Sequence, residues 1–454
     1  MSDPAESGSG LFGELFSGSA VAREVSDTAW LQALLDAEAA LARAQAAVGL
    51  VPAKAAAAIS AACAAESFDA ESLGQRAGAS GNPVVPLVHD LRAIVGDDIG
   101  RHVHLGATSQ DIIDTAMMLV ADRALEPVLD DLAAVADECA ALAATHRDTV
   151  LPARTLMQDA APTSFGLKAA GWLVALHEAR ATLLNVRDRR LAVQLGGAVG
   201  NLAALGSAGP AVAAAFANEL HLDLPTVPWH TNRVRVAELA SALGVACGVL
   251  GKIAVDLILL AQTEVGEARQ QAGGGSSSMP QKRNPTSAIL TVAAARRAPG
   301  LVSTLLATMV QEHERAAGSW HAEWVTVRDL LAITGAAAAH SRAAVDGLVV
   351  DTERMQAHVA GNDLLMAEAV AASLARAMGA GEAHELVRSC VRAAEVQQIS
   401  LRAALLENSR VAAVLSVDEL DDLLDPRTHL GANQELIDAA LRVHGTLLTD
   451  GGSG

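Results

Sequence analysis

Between Val236 and Leu260 the apolar residues Val236, Leu239, Leu243, Ala246, Leu250, Ile253, Leu257 and Leu260 alternate steps of three and four. That spacing is an a/d seam, which commits the segment to a long helix packed against other helices at shallow angles. At about 1.5 Å of rise per residue, such a seam is tens of ångströms long. The helical pattern reads as one element over 233–269. Gly244, Gly248 and Gly251 lie within it, and glycines carry no side chain to hold a neighbouring helix away. A helix this apolar is not stable alone in water, so the seam predicts a core assembled from several copies of the chain. Asp256, with Lys252 before it, makes the segment a buried helix and not a membrane span.

A second clear helix reads over 28–48, with Ser26 and Asp27 as caps and Gly49 and Pro52 as its stop. Shorter pieces follow, broken at Gly81, Pro83 and Gly96. Aromatic residues are only 2% of the chain and tyrosine is absent, whereas sheets favour aromatic and β-branched residues, so the fold class is all-α. A chain of 454 residues exceeds one ordinary core. We divide it into an N-terminal helical domain, 1–110, a central long-helix bundle, 111–355, and a C-terminal helical domain, 356–454. The formal net charge is −19 and no basic run occurs, which argues against nucleic-acid binding. An anionic substrate is repelled at long range, so its site has to be built locally from Arg, Lys and helix N-termini. Cys63, Cys139, Cys247 and Cys390 are far apart in apolar stretches and read as buried thiols, not disulfides or zinc ligands. The acidic, polar N-terminus is not a signal peptide, which places the chain in the cytoplasm without a membrane partner.

The helical pattern breaks between Gln271 and Pro285, in QAGGGSSSMPQKRNP. Glycine and serine let this backbone bend and expose amide N–H groups to an anion, while Lys282 adds positive charge. By composition alone the stretch is a flexible linker. A phosphate-binding P-loop is excluded, because no Ser or Thr follows Lys282 and no Gly precedes it. Residue by residue, Gly275, Ser276, Ser277, Met279, Pro280, Lys282, Asn284 and Pro285 are similar to the signature loop of the fumarase/aspartase superfamily, GSSxMPxKxNP. Two further stretches resemble that superfamily in the same chain order. One is His104-Leu105-Gly106-Ala107-Thr108-Ser109-Gln110-Asp111 with Asp114-Thr115, which also reads as a helix cap. The other is Arg154-Thr155-Leu156-Met157-Gln158 with Pro162 to Lys168, of which Gln158 to Ser164 also reads as a turn between helices.

The resemblance implies a three-domain fold whose long-helix bundle assembles into a homotetramer, with active sites shared between subunits. Lyases of the superfamily carry a proton-handling histidine where this chain has Leu156, which counts against adenylosuccinate and argininosuccinate cleavage. Pro228-Trp229-His230-Thr231-Asn232-Arg233, Gly166 to Trp172, and Glu312-His313-Glu314-Arg315 with Trp320, Glu323 and Trp324 resemble the carboxymuconate-cycloisomerase branch. The plain readings beside this are core tryptophans for Trp172, Trp320 and Trp324, and ordinary ion pairs for Arg233 and Arg315. His102 and His104 alternate around Val103, but no carboxylate or cysteine cluster accompanies them, so a metal is not expected.

By that resemblance the substrate is a small tricarboxylate diene, lactonised without metal or cofactor. Ser276 is the implied proton donor, or base in reverse. Lys282 and Asn284 are its implied partners, with the amides of 277–279 forming an oxyanion pocket. His104, Thr108, Ser109, Gln110, Gln158, His230, Arg233, Ser277, Met279 and Arg315 are the candidates to hold its carboxylates. The competing expectations are an adenylosuccinate-lyase-like C–N lyase and a non-catalytic helical scaffold.

Overall fold

The computed structural model describes residues 13, 15, 16, 19–271 and 273–451. The first long helix, α1 (Asp27–Ala47), starts at Ser26, whose Oγ accepts the Ala29 N–H, and stops before Gly49 at φ +79°. Five more long helices follow: α2 (Ser109–Thr145), α3 (Phe165–Arg190), α4 (Val234–Leu260), α5 (Thr286–Ala307) and α6 (Ser319–Val345). Helix dominates, and the expected all-α class holds.

Short strands are present where the sequence read helix or turn. The stretch after Arg154-Thr155 is a β-hairpin: β1 (Val150–Thr155) pairs antiparallel with β2 (Gln158–Ser164), Val150 opposite Ser164 and Thr155 opposite Gln158. The expected helix over 233–269 ends early, at Leu260. Gly266 turns the chain at φ +63°, and β3 (Ala268–Gln270) then pairs antiparallel with β4 (Leu348–Val350). The strand partner lies about eighty residues on, so local helical pattern was overridden by a tertiary pairing.

The chain forms two compact units. The first comprises Met1–Ala133, Glu178–Val255 and Thr286–Ala343; the second comprises Ala134–His177, Asp256–Pro285 and Ala344–Gly454. All eight seam residues of α4 are buried. In the first unit a Cβ at Gly251 would stand 2.6 Å from Ala295 Cβ, and one at Gly244 would stand 2.9 Å from Val302 Cγ2. Positions rise along α4 as they fall along α5, so the two helices are antiparallel and in close approach at two of the three glycines. Gly248 has open space instead. Cys247 Sγ lies 3.3 Å from Thr334 Oγ1, tying α4 to α6. By length and composition α4 and α5 are apolar enough to cross a membrane, but the α4 seam is that of a core helix.

In the second unit the C-terminal helices α7 (Ala367–Met378) and α8 (Ala380–Gln397) build a core around Val370, Leu374, Leu386, Val387, Leu401 and Leu405. Trp172 sits edge-on to Phe165 and donates its indole N–H to Asp256 at 2.7 Å. Of the three tryptophans expected in the core, Trp172 and Trp320 are buried and Trp324 is half-buried. The four cysteines are free and buried, and burial pushes Cys139 up to about 12 and Cys247 to about 11.

Gly251→Ala overpacks the α4–α5 contact and is expected to cost about 1–3 kcal/mol. Gly78→Ala, at an exposed helical position with no atom near its Cβ, is expected to gain about 0.5–1 kcal/mol. Urea unfolding followed by circular dichroism checks both; equal midpoints would remove the close-approach argument.

Candidate active site

The first unit gathers its chemistry at the start of α2. Thr108 caps the helix, and Asp111, three residues on, reaches back so that its Oδ2 accepts the Thr108 N–H at 2.9 Å. Asp111 is buried, and both its oxygens are filled. Oδ1 accepts the Gly196 N–H at 2.9 Å and faces His230 Nε2 at 2.7 Å; Oδ2 also accepts the Gly197 N–H at 2.9 Å. One turn along the same face lies Asp114, also buried.

Asp114 belongs to a buried ion cluster. Arg233 donates Nη1 and Nη2 to Asp114 at 2.8 and 3.0 Å, and Nε and Nη2 to Glu323 at 3.0 and 2.5 Å. Trp320 Nε1 (2.9 Å) and Gln110 Nε2 (3.1 Å) also donate to Asp114, and Gln311 donates to Glu323. The Arg233 guanidinium also stacks 4.7 Å over the Trp229 ring. Burial by itself would lower Arg233, but the charges of Asp114 and Glu323 outweigh it and raise it above its ordinary value. Burial pushes the Glu323 carboxyl up, against the pull of Arg233.

This changes the expectation for Arg233. Its N–H groups point at two carboxylates of its own chain, so the ion-pair reading fits its geometry and carboxylate capture does not. Arg315 is similarly engaged. Nη1 donates to Gln110 Oε1 at 3.0 Å, and Nη2 to the carbonyls of Gly197 and Ala198 at 3.2 and 2.8 Å. The loop 196–198 is thus gripped from both sides, its amides by Asp111 and its carbonyls by Arg315. Glycine is required here: a Cβ at Gly196 would meet His230 Cε1 at 2.7 Å, and Gly197 has φ +68°. Ser109 opens α2 half-buried. His104 bonds through Nδ1 to Glu38.

The second unit holds the signature loop. Gly274 and Asn284 close its neck with paired backbone bonds of 2.9 and 2.8 Å. Asn284 Nδ2 donates to the Gly275 carbonyl at 3.3 Å. Ser276 Oγ accepts the Met279 N–H at 3.1 Å and the Ser278 N–H at 3.4 Å. Two of the amides expected to form an oxyanion pocket for substrate, those of Ser278 and Met279, are therefore turned onto Ser276 itself, because a serine hydroxyl in a tight turn satisfies local N–H groups. Ser277, Met279 and Lys282 are exposed. Just before the loop, buried Glu267 accepts two bonds from Arg154, at 2.7 and 2.6 Å, and faces His358 Nδ1 at 2.7 Å. Burial pushes Glu267 up, but these bonds outweigh it and hold it below the usual carboxylate range.

Gln158 sits at the foot of β2, exposed, its amide donating to the Met157 carbonyl. The hairpin tip beside it is unusual. Leu156 and Met157 have φ of +49° and +66° and are 97% and 71% exposed. A two-residue turn of this kind normally carries Asn or Gly. Sequence reasoning gave no role to Glu38, Gln194 or the 196–197 amides, and named Asp111 and Asp114 only as parts of a matching string. Their tertiary partners include residues about 65 to 205 positions away, and nothing local signals such pairings.

Arg233→Met leaves Asp114 and Glu323 buried without a counter-charge and is expected to destabilise the fold by about 3–5 kcal/mol. Arg315→Met, whose guanidinium hydrogen-bonds neutral oxygens among the described residues, is expected to cost less. Urea midpoints for the two variants make the check. An Arg233→Met midpoint no lower than that of Arg315→Met would refute the structural role of the cluster.

The family model described as lyase matches residues 16–300, and the adenylosuccinate lyase C-terminus model matches residues 363–440. The chain is 48% identical over 444 residues to the 3-carboxy-cis,cis-muconate cycloisomerase of Pseudomonas aeruginosa, covering 96% of this chain and 97% of that one. It is 40% identical over 455 residues to a nitrosuccinate lyase of Streptomyces davaonensis, covering 95% and 94%. The solved 3-carboxy-cis,cis-muconate lactonizing enzyme from Pseudomonas putida superposes with a TM-score of 0.88 at 44% identity, over 95% of this chain and 99% of that one. With its signature loop and long-helix fold, the chain belongs to the fumarase/aspartase superfamily of lyases.

Proposed function

We propose that the chain is a 3-carboxy-cis,cis-muconate cycloisomerase that forms 4-carboxymuconolactone in the protocatechuate branch of β-ketoadipate catabolism, in the cytoplasm. The observation that carries the mechanism is Ser276, whose Oγ accepts two backbone N–H bonds within an intact signature loop. Donors aimed at that oxygen stabilise its alkoxide, which an isolated serine lacks at neutral pH. One substrate carboxylate adds to a carbon–carbon double bond, forming the lactone C–O bond. The π electrons move towards the neighbouring carbon and are held as an aci-carboxylate. Ser276 Oγ–H gives that carbon its proton, and solvent later restores the hydroxyl. Lys282 offsets the negative charge, and Asn284 shapes the loop by holding the Gly275 carbonyl. Between the ionised forms the lactone gains one proton, drawn from solvent through Ser276; every other atom and all electrons are conserved, and no step calls for a metal.

His104, Thr108, Ser109, Gln110, Gln158, His230, Ser277, Met279 and Arg315 are our candidates to hold the carboxylates. Arg233 we assign to holding Asp114 and Glu323. The division at 110 and 355 stays our proposed domain scheme, and a homotetramer with shared sites is the proposed assembly. Val245 on α4 and Ile289 and Leu306 on α5 are exposed apolar residues, which supports further helices covering these faces.

Loss of the conjugated-diene absorbance of 3-carboxy-cis,cis-muconate tests the activity. Wild type is expected to consume it, unaffected by EDTA, and Ser276→Ala to be slower by about 10²–10⁴-fold. No consumption by wild type would overturn the assignment and direct attention to fumarate release from succinyl adducts. For shared sites, co-refolded Ser276→Ala and Gln110→Ala chains are expected to recover activity that neither has alone; no recovery in mixed tetramers would place both residues in one subunit's site.

A further inference from the structure

A carboxylate outside the catalytic list stands behind His104. Glu38, on α1, is only 1% exposed, and its Oε1 lies 2.6 Å from His104 Nδ1. Its other oxygen, Oε2, is buried and has no hydrogen-bond partner among the described residues. His104 itself sits at φ +61°, a left-handed conformation that non-glycine side chains disfavour. An unpaired buried oxygen and backbone strain thus converge on one pair. Folded chains retain such costs mainly where function needs them.

The ring is held on both sides of its own segment. Gln45 Nε2 donates to the Leu105 carbonyl at 2.6 Å, and a Cβ at Gly106 would stand 2.5 Å from Leu205 Cδ2. With Nδ1 turned to Glu38, Nε2 is the nitrogen left over; the side chain is 15% exposed. Thr108 and Gln110, at the mouth of α2, follow on the same stretch of chain.

We propose that Glu38 is a positioning residue for the reaction, fixing the His104 ring so that Nε2–H donates to one carboxylate of the substrate. The idea rests on the carboxylate-holding role given to His104 above. Neutral imidazole has one N–H, so giving Nδ1–H to Glu38 leaves Nε2 an acceptor; only the imidazolium donates from both. Groups facing the ring are Glu38 from α1, Asp111 from α2 and Arg92 from the helix Val84–Val95. Burial opposes its charge, Glu38 and Asp111 favour it, Arg92 opposes it, and the balance raises His104 above its ordinary value. A raised group is charged below that value and loses its charge as pH rises through it, so the donor fails on the alkaline side.

Glu38→Gln keeps the shape and an oxygen for Nδ1–H but removes the charge. The KM for the tricarboxylate is expected to rise at a lower pH than in wild type, by roughly ten- to hundredfold at pH 8, the range of one lost charge-assisted hydrogen bond. The kcat is expected to change little. In a His104→Gln background, Glu38→Gln is expected to add nothing. Histidine Cε1 hydrogen–deuterium exchange by mass spectrometry follows His104 without any substrate, and its midpoint is expected to fall in Glu38→Gln. An unchanged midpoint, a KM effect equal at every pH, or an effect that persists without His104 would each overturn the proposal. A shifted midpoint in a protein that turns over no muconate would instead sink the functional assignment and leave the pair's electrostatics standing.

Discussion

Much of the first unit depends on how it buries negative charge. Asp111, Asp114 and Glu323 are all fully buried in an alanine-rich helical core, and Arg233 bonds two of them. Such a cluster is a weak source of net stability, because desolvating its charges offsets most of their attraction. What it supplies is register. Asp114 on α2, Arg233 just ahead of α4 and Glu323 on α6 meet in only one arrangement that leaves no carboxylate bare. An alanine-rich interface by itself offers little to choose between neighbouring registers.

The same kind of device recurs beside each functional loop. In the first unit Asp111 takes the amides of 196–197 while Arg315 takes the adjoining carbonyls, so a glycine-rich segment is fixed without side chains of its own. In the second unit Arg154 and His358 converge on Glu267, just before the signature loop begins. The rigidity of both loops is supplied from outside, by charged groups bonded to their backbones or packed just ahead of them.

The helical frame was legible because it is written in local period. The 3–4 spacing of α4 sets a buried stripe, and Ser26 and Gly49 bound α1, as read. The signature loop was legible as a matched string. The strands were not, because β3 is three residues long and is defined only by its pairing with β4. The hairpin was hidden by Pro152 and Pro162, which face each other across it and which a strand reading normally excludes. The buried pairs were also invisible: Glu38 sits in a helix as any surface glutamate would, and nothing around it announces His104. Arg233 was open between a carboxylate ligand and an ion pair, because the two carboxylates it bonds lie about 90 and 120 residues away in the sequence.

The contact between α4 and α5 bears on how this sequence can drift. Every single-base change that alters a glycine codon's meaning introduces a residue with a Cβ or stops translation. At Gly251 any such atom falls 2.6 Å from Ala295, and Ala295 has only its methyl to give up, by becoming glycine. Neutral substitution there thus requires two linked changes, the first of them exchanging Ala295 for glycine, a poorer helix former. Gly248, one turn away with open space in the chain, carries no such restriction within its own fold. Two glycines in one helix, indistinguishable in a sequence, are therefore expected to have unlike histories across the family.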